Sequence, residues 1–365
     1  MKDTPKMTPI AKILDLTVRG FRSIRALEDF EARPINILIG PNGAGKSNFI
    51  ALFRLLQSIV EGNLQHYVAQ QGGASVLLFD GPARTRQLGL QVEFYLGSER
   101  WRYELLLEFA AGDSFVIDAE HCVNDAGERS LDSGVRESKI QISECRELGG
   151  VVKFLREIAP YQFHNTSETS RFRLRWLTDD NDTLKADGGN LAPFLLRMRE
   201  AASLHYRKVV DLCRQVLPFF DDFVLKPEGN YILLRWKERG SDLVLNASVA
   251  SDGMLRVFAL IALLCQPEDW FPSVLVLDEP ELGLHPSAIE IVAGLIRSAS
   301  THTQIFAATQ STALLNEFEP EDIVVVERQG RESTFRRLRR EDLAGWLEEY
   351  SLADLWWKNV LGGKP

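Results

Sequence analysis

Ile35-Asn36-Ile37-Leu38-Ile39-Gly40-Pro41-Asn42-Gly43-Ala44-Gly45-Lys46-Ser47 is the stretch on which the reading of this chain turns. A short, mainly apolar run enters a segment that fits G-x-x-x-x-G-K-[ST], and Ser47 to Ile59 (SNFIALFRLLQSI) then carries apolar residues at helical spacing. Strand, glycine-rich loop and helix in that order make a cradle for phosphate. Glycines let the backbone approach without a Cβ in the way, successive N–H groups point inward, and the helix aims its positive end at the same anion. In such a cradle Lys46 reaches the β- and γ-phosphates and the Ser47 hydroxyl is a Mg²⁺ ligand, while Asn42, Gly43, Ala44, Gly45 and Asn48 line the nucleotide.

Far downstream, Val274-Leu275-Val276-Leu277-Asp278-Glu279-Pro280 is an apolar strand that ends in two carboxylates. A run of this kind suits a parallel strand covered on both faces. Asp278 then stands at the carboxyl end, where open α/β sheets place ligands, as a direct or water-mediated Mg²⁺ contact. Glu279 follows as the residue that orients or deprotonates the attacking water. The pair of motifs implies ATP and Mg²⁺ as ligands. A small-molecule kinase uses the same phosphate loop, but the wide separation of Lys46 and Asp278 disfavours it.

Ala250-Ser251-Asp252-Gly253 precedes the apolar run Met254 to Leu264, with Ser251 or Asp252 as helix N-cap. An exposed Ser-x-Gly at a helix start offers amide donors and dipole to a second anion. One nucleotide does not need two γ-phosphate sites in one chain. The economical reading is a head-to-tail homodimer in which Ser251, Asp252 and Gly253 cover the ATP of a partner; the alternative is an ordinary capped core helix.

With these residues assembled, the chain resembles the ABC-type ATPase heads of the RecF, SMC and OLD (overcoming lysogenization defect) group, especially the short RecF-like or AAA-family ATPases. The resemblance implies an α/β fold: a bilobed P-loop ATPase head with a mixed sheet, an antiparallel β subdomain and an inserted helical lobe. Asp15 to Ile24 is similar to the family's opening strand with its F-R-S element, which implies that Arg22 lies near the nucleotide. Asp278 to Pro286 fits D-E-P-E-x-G-L-H-P, the catalytic strand and the loop that crosses a dimer seam. Ile305 to Ser311 matches the switch strand and loop. Transporter-type heads carry His at the switch, where this chain has Gln310; glutamine hydrogen-bonds a phosphate or water but carries no titrating charge, so Glu279 stays the base and Gln310 senses. Within Tyr161-Gln162-Phe163-His164, Gln162 is the residue that the resemblance implies as a Mg²⁺ or water contact, and His164 is read as structural.

The expected divisions are 1–149, an ATPase lobe with the phosphate loop; 150–235, an inserted mainly helical lobe; 236–340, an ATPase lobe with signature, carboxylate strand and switch; and 341–365, a helical tail. Leu88 to Tyr95 and Arg100 to Phe109 read as neighbouring antiparallel strands, Asn124 to Ser138 as a surface loop, and Asn190 to Phe219 as helix broken at Pro193 and Pro218. No heptad pattern persists, so a long coiled-coil arm is not expected. Trp346, Tyr350, Trp356 and Trp357 suit an amphipathic tail helix packed on the core, the favoured use, or a partner-binding surface.

Hydrophobic content of 45% and charged content of 25% are ordinary for a globular protein. No apolar run approaches the ~18 residues of a membrane span, and MKDTPKMTPIAK lacks a signal-peptide core. Cys122, Cys145, Cys213 and Cys265 show no C-x-x-C spacing, so neither zinc nor a disulfide framework is indicated. These features read as cytoplasmic. A net charge of −9 disfavours a protein coated in nucleic acid but leaves room for a local basic groove in contact with DNA. Arg171-Phe172-Arg173-Leu174-Arg175, an alternation expected of a strand with one wet face, and Arg336-Arg337-Leu338-Arg339-Arg340 are the two clusters in question. By resemblance, the setting is DNA repair or maintenance, or defence against foreign DNA, with a separate nuclease or effector as a further partner. Ile323 to Glu327 is similar to the start of a TOPRIM nuclease domain, which needs on the order of 100 residues and a D-x-D pair for metals; 38 residues follow Glu327, with no D-x-D among them, so intrinsic nuclease activity is not expected.

Overall fold

The computed structural model describes residues 11–142, 147–167 and 169–362. Cys145 and the opening stretch read above for a signal peptide, up to Ile10, lie outside the described residues. Two six-stranded sheets carry the architecture. The first is antiparallel and holds Lys12–Phe21, Ile24–Glu31, Gln87–Leu96, Glu99–Ala110, Ser114–Asn124 and Gly127–Ser130. Its strands alternate with period two: Leu88, Leu90, Val92 and Phe94 point inward along one, Trp101, Tyr103, Leu105 and Leu107 along the next.

The second sheet runs in the order Glu332–Arg337, Ile323–Gln329, Ile35–Ile39, Gln304–Thr309, Val274–Asp278, Ile158–Tyr161. All neighbours are parallel except the first pair, so the sheet is mixed. The strands Ile35–Ile39, Val274–Asp278 and Gln304–Thr309 are buried along their whole length because both faces are covered. Alternation still sorts them. Leu38, Val274, Val276, Phe306 and Ala308 face the helix Lys46–Val60 and the antiparallel sheet. Ile37, Ile39, Leu275, Leu277, Ile305 and Ala307 face a second core that includes the helices Leu191–Ala201, Ser203–Val216, Asp252–Leu264 and Pro286–Ala299. Two cores on two faces of one sheet give the bilobed head.

Phe49 shows how the first core is locked. Its ring centroid lies 5.3 Å from Phe30, 5.4 Å from Phe53, 5.5 Å from Phe335 and 6.0 Å from Phe306, so one side chain of the phosphate-loop helix touches both sheets. Its truncation to alanine is expected to cost about 3–5 kcal/mol.

Several local expectations are corrected. Gly127–Ser130 is a strand paired with Ser114–Asn124; its residues are mostly exposed, so no apolar alternation marks it. Pro193 does not break its helix: it is the third residue of Leu191–Ala201, where the N–H has no intrahelical partner to lose. The break falls at Ala202 (φ −141°, ψ 56°), before Ser203–Val216. Arg171–Arg173 is a 3₁₀ turn capped by Ser170, not a strand. The segment 150–235 contributes Ile158–Tyr161 to the second sheet as well as helices, and its strand Phe220–Phe223 pairs with Arg235–Glu238. The tail forms two short helices, Arg340–Leu343 and Leu352–Trp357, in place of one amphipathic helix; Trp356 is buried, while Trp346 and Trp357 are exposed.

Candidate active site

Four neighbouring parallel strands end on one rim of the second sheet. Ile39 is in register with Thr309, Ala308 with Asp278, and Leu277 with Tyr161. The rim therefore gathers the phosphate loop, Gln310, Asp278 with Glu279, and Gln162 side by side. The loop itself is buttressed from the neighbouring hairpin. A Cβ on Gly40 would sit 2.2 Å from the Val326 carbonyl oxygen, and one on Gly45 (φ +118°) 2.1 Å from Ser333 Oγ. Ser333 Oγ lies 2.6 Å from the Ala44 carbonyl and 2.7 Å from Ser23 Oγ, which accepts from Asn48 Nδ2 at 2.6 Å.

The helix that leaves the loop, Lys46–Val60, has Gly45 at its N-cap, no side-chain cap and no acidic residue in its first turn. Its leading amides and dipole are thus offered to an anion with no competing side chain. Lys46 is buried, and its Nζ donates to the carbonyls of Gly40 (2.6 Å) and Pro41 (3.0 Å). Burial lowers its pKa, opposed by Glu279, Asp278 and Glu281. Ser47 is exposed beside it, and Arg328 Nη1 donates to the Gly43 carbonyl at 3.2 Å.

The carboxylates are knit to one another. Asp278 Oδ2 accepts from Gln162 Nε2 at 3.1 Å, and Gln162 Oε1 accepts from Arg54 Nη2 at 2.7 Å. Burial raises the Asp278 pKa, opposed by His164, Arg54 and Lys46. Glu279 holds a left-handed backbone (φ 46°), unusual for a side chain of its size. Its Oε1 accepts from Gln310 Nε2 at 2.5 Å, and its Oε2 lies 3.9 Å from His164 Nε2. Glu281 supports the switch from beneath: its Oε1 accepts from Thr309 Oγ1 (2.5 Å) and from the Gln310 amide (3.3 Å), while Oε2 is buried without a partner. Burial raises its pKa as well.

Among the described residues no three His, Cys, Asp or Glu side chains group to hold a metal. Gln162 stands against Asp278 with its amide oxygen turned to Arg54.

Helix Asp252–Leu264 starts at the N-cap Ser251, whose Oγ accepts from the Met254 amide at 3.3 Å; Ser251 and Asp252 are exposed. Gly253 abuts the loop after the carboxylates, where a Cβ would lie 3.0 Å from the Gly283 carbonyl. Arg256 ties three segments together: Nε donates to Phe163 O (3.1 Å), Nη2 to His164 O (3.1 Å) and Nη1 to Leu282 O (3.3 Å). Arg22 (φ 51°) lies beside the start of the phosphate-loop helix, its Nη1 3.4 Å from Asn48 Oδ1 and its Nη2 donating to Gln71 at 2.5 Å. Arg54 and Arg256 take part in this network without standing out in the sequence, because each works through a partner distant in the chain; Glu281 lies within the D-E-P-E pattern and His164 within Tyr161-Gln162-Phe163-His164, but neither is given a site role by the sequence.

The arginine clusters are largely spent on the fold. Arg173 donates to the carbonyls of Thr166, Ala247, Ser248 and Ala250; Arg171 pairs with Asp187 and Arg175 with Glu228. Arg337 is half-buried, donates to Glu31 O, Glu321 O and Asn36 Oδ1, and has its pKa pulled down to about 10 by desolvation and by Arg33. Arg336 donates to Leu361 O and Arg340 pairs with Glu319.

Residues 35–125 and 148–316 match the family model described as "AAA domain, putative AbiEii toxin, Type IV TA system", which is more than half of the chain. A search of curated proteins finds no match. Among solved structures, an Smc head bound to the C-terminal winged-helix domain of ScpA matches with a TM-score of 0.59 at 16% identity, over 91% of this chain and 99% of that one. The Smc head of Pyrococcus furiosus with an extended coiled coil, bound to the C-terminal domain of ScpA, gives 0.59 at 15% identity over 93% and 99%. The Smc head of Pyrococcus yayanosii with a coiled coil and joint gives 0.53 at 13% over 93% and 99%. At such identities these likenesses speak for the fold, an ABC-type P-loop head. No helix among the described residues is long and apolar enough to cross a membrane. Fold, phosphate loop and family match agree: the chain is an ATPase and belongs to this family of AAA domains.

Proposed function

We propose that the protein is an ATP-driven switch in which two copies close head to tail around ATP and reopen on hydrolysis. Lys46 and the amides of residues 43–47 bind the triphosphate, Glu279 takes the proton of the attacking water, and Gln310 reports the γ-phosphate. Mg²⁺, held by Ser47, Asp278 and the phosphates, would neutralise charge that develops on the phosphoryl oxygens. Arg22 and Asn48 border the nucleotide, and Gln162 holds Asp278. The observation that carries dimerisation is the exposure of Ser251 and Asp252 at a helix end locked by Gly253, Arg256 and Leu282 to the loop that follows Glu279. A partner's γ-phosphate at Ser251 would thus be felt at the carboxylates. Domain boundaries near 149, 235 and 340 follow the same reading, with the core strand Ile158–Tyr161 as the crossing point.

The setting is DNA maintenance or defence against foreign DNA. Because Arg171, Arg173, Arg175, Arg336, Arg337 and Arg340 are engaged within the chain, a second reading gains weight: an ATPase subunit that regulates a separate nuclease or effector without binding DNA itself. Sedimentation of Glu279→Gln with and without ATP tests the switch. A dimer with ATP and a monomer without it is expected; a monomer in both states counts against the proposal. Turnover measured with single- and double-stranded DNA separates the two settings, since only a DNA-contacting head is stimulated.

A further inference from the structure

His164 was expected to be structural, and its surroundings say otherwise. Gln162 Oε1 is taken by Arg54 Nη2, so the amide nitrogen faces the other way. That nitrogen lies 3.1 Å from Asp278 Oδ2 and 2.8 Å from His164 Nδ1. An amide NH₂ only donates, so Nδ1 is an acceptor and the neutral imidazole carries its proton on Nε2. Nε2 is buried, has no hydrogen-bond partner among the described residues, and faces Glu279 Oε2 at 3.9 Å. An unanswered buried donor costs free energy, and closure by about 1 Å would convert this one into a charge-assisted bond to a carboxylate. The carbonyl of the same residue is held by Arg256 Nη2 from the helix that begins at Asp252, which limits where the ring can go.

We propose that His164 is the positioning residue for Glu279. Gln310 holds one carboxylate oxygen from the switch loop, and on closure His164 Nε2–H takes the other from the segment that follows the strand ending at Tyr161. The inference rests on Glu279 as the base. It places a histidine beside the carboxylate proposed to activate water, in a chain whose switch position is Gln310, with the ring N–H as the donor.

The test is single-turnover ATP hydrolysis and ATP binding with Mg²⁺, on the full chain, for His164→Gln, His164→Asn and His164→Ala beside Glu279→Gln. Glutamine keeps a donor near the Nε2 position, whereas asparagine keeps one near Nδ1. The expected result is His164→Gln within about threefold of wild type and the other two slower by about 10- to 100-fold, with ATP affinity changed by less than about twofold. His164→Ala added to Glu279→Gln should slow it no further. If His164→Ala does not fold, the Gln and Asn variants decide alone. The proposal is overturned if all His164 variants turn over like wild type, if Gln is as slow as Asn, or if affinity falls instead of rate. Should Glu279→Gln itself hydrolyse at the wild-type rate, it is the base assignment that fails, a different result from a silent His164 series beside a dead Glu279→Gln.

Discussion

The helix that begins at Lys46 has no side-chain cap and grows from a loop braced by Ser333, Ser23 and Asn48; the helix that begins at Asp252 is capped by its own Ser251 and opens to solvent. Both ends carry leading amides, but only the second has one of its donors answered by a side-chain cap. Under the proposed function, the first takes a ligand within its own chain, and the second, stable by itself, adds to a partner's site rather than founding one. The contrast extends to charge. Lys46 is buried among carboxylates, whereas the exposed Asp252 at the second end lies 3.5 Å from Arg173.

The sharpest way to break this contrast is to remove the base: Glu279→Gln is expected to slow hydrolysis by about 10³-fold while ATP still binds, read by single-turnover assay and by nucleotide-binding titration. Next comes Lys46→Ala, which should weaken ATP binding by about 100-fold at the first helix end, a loss visible by calorimetry. The second end should behave differently. Ser251→Arg is expected to leave ATP affinity of the dilute protein unchanged and to lower turnover by about tenfold, with loss of its dependence on protein concentration. Equal damage to affinity would mean that both helix ends serve the same chain's nucleotide.

Gly45→Ala probes the bracing. The φ of +118° and the 2.1 Å approach to Ser333 Oγ are expected to cost about 2–4 kcal/mol, measured by denaturant unfolding, and Ser333→Ala in the same chain should recover part of it.

The smallest effect concerns pH and lies away from the site. Asp15 pairs in register with Glu31 and Glu93, and burial together with Asp29 and Glu93 raises its pKa from 3.8 to about 6. A raised acid binds more protons folded than unfolded between those values, so its contribution to stability falls as pH rises from about 4 to 6. Asp15→Asn should match wild type near pH 4 and gain on it by pH 7 in thermal midpoint; a constant difference across that range would contradict the shift.

The sequence made the rim of the second sheet readable because phosphate loop, carboxylate strand and switch each announce a strand end followed by functional residue types. It made the antiparallel sheet readable through period-two alternation, as in Gln87–Leu96. It did not reveal Gly127–Ser130, a strand without an inward face, nor the 3₁₀ turn at Arg171–Arg173, where Arg173 reaches carbonyls of the 247–250 loop instead of water. Pro193 misled for a positional reason, since the same residue breaks a helix interior and is harmless in a first turn. Arg54 and Arg256 stayed hidden, and so did the contacts of His164 and Glu281, because their importance lies in which backbone or side chain they meet after folding.

Pro160 sits in Ile158–Tyr161, the outermost strand of the second sheet, and a proline there presents no N–H to a newcomer. On the opposite border the antiparallel hairpin strand Glu332–Arg337 closes the row, and its Ser333 amide donates to the Ser23 carbonyl at 2.7 Å. Lateral growth by strand addition is thus discouraged on one flank by a missing donor and on the other by a donor already engaged. A row closed at both borders guards against open-ended polymers built strand upon strand.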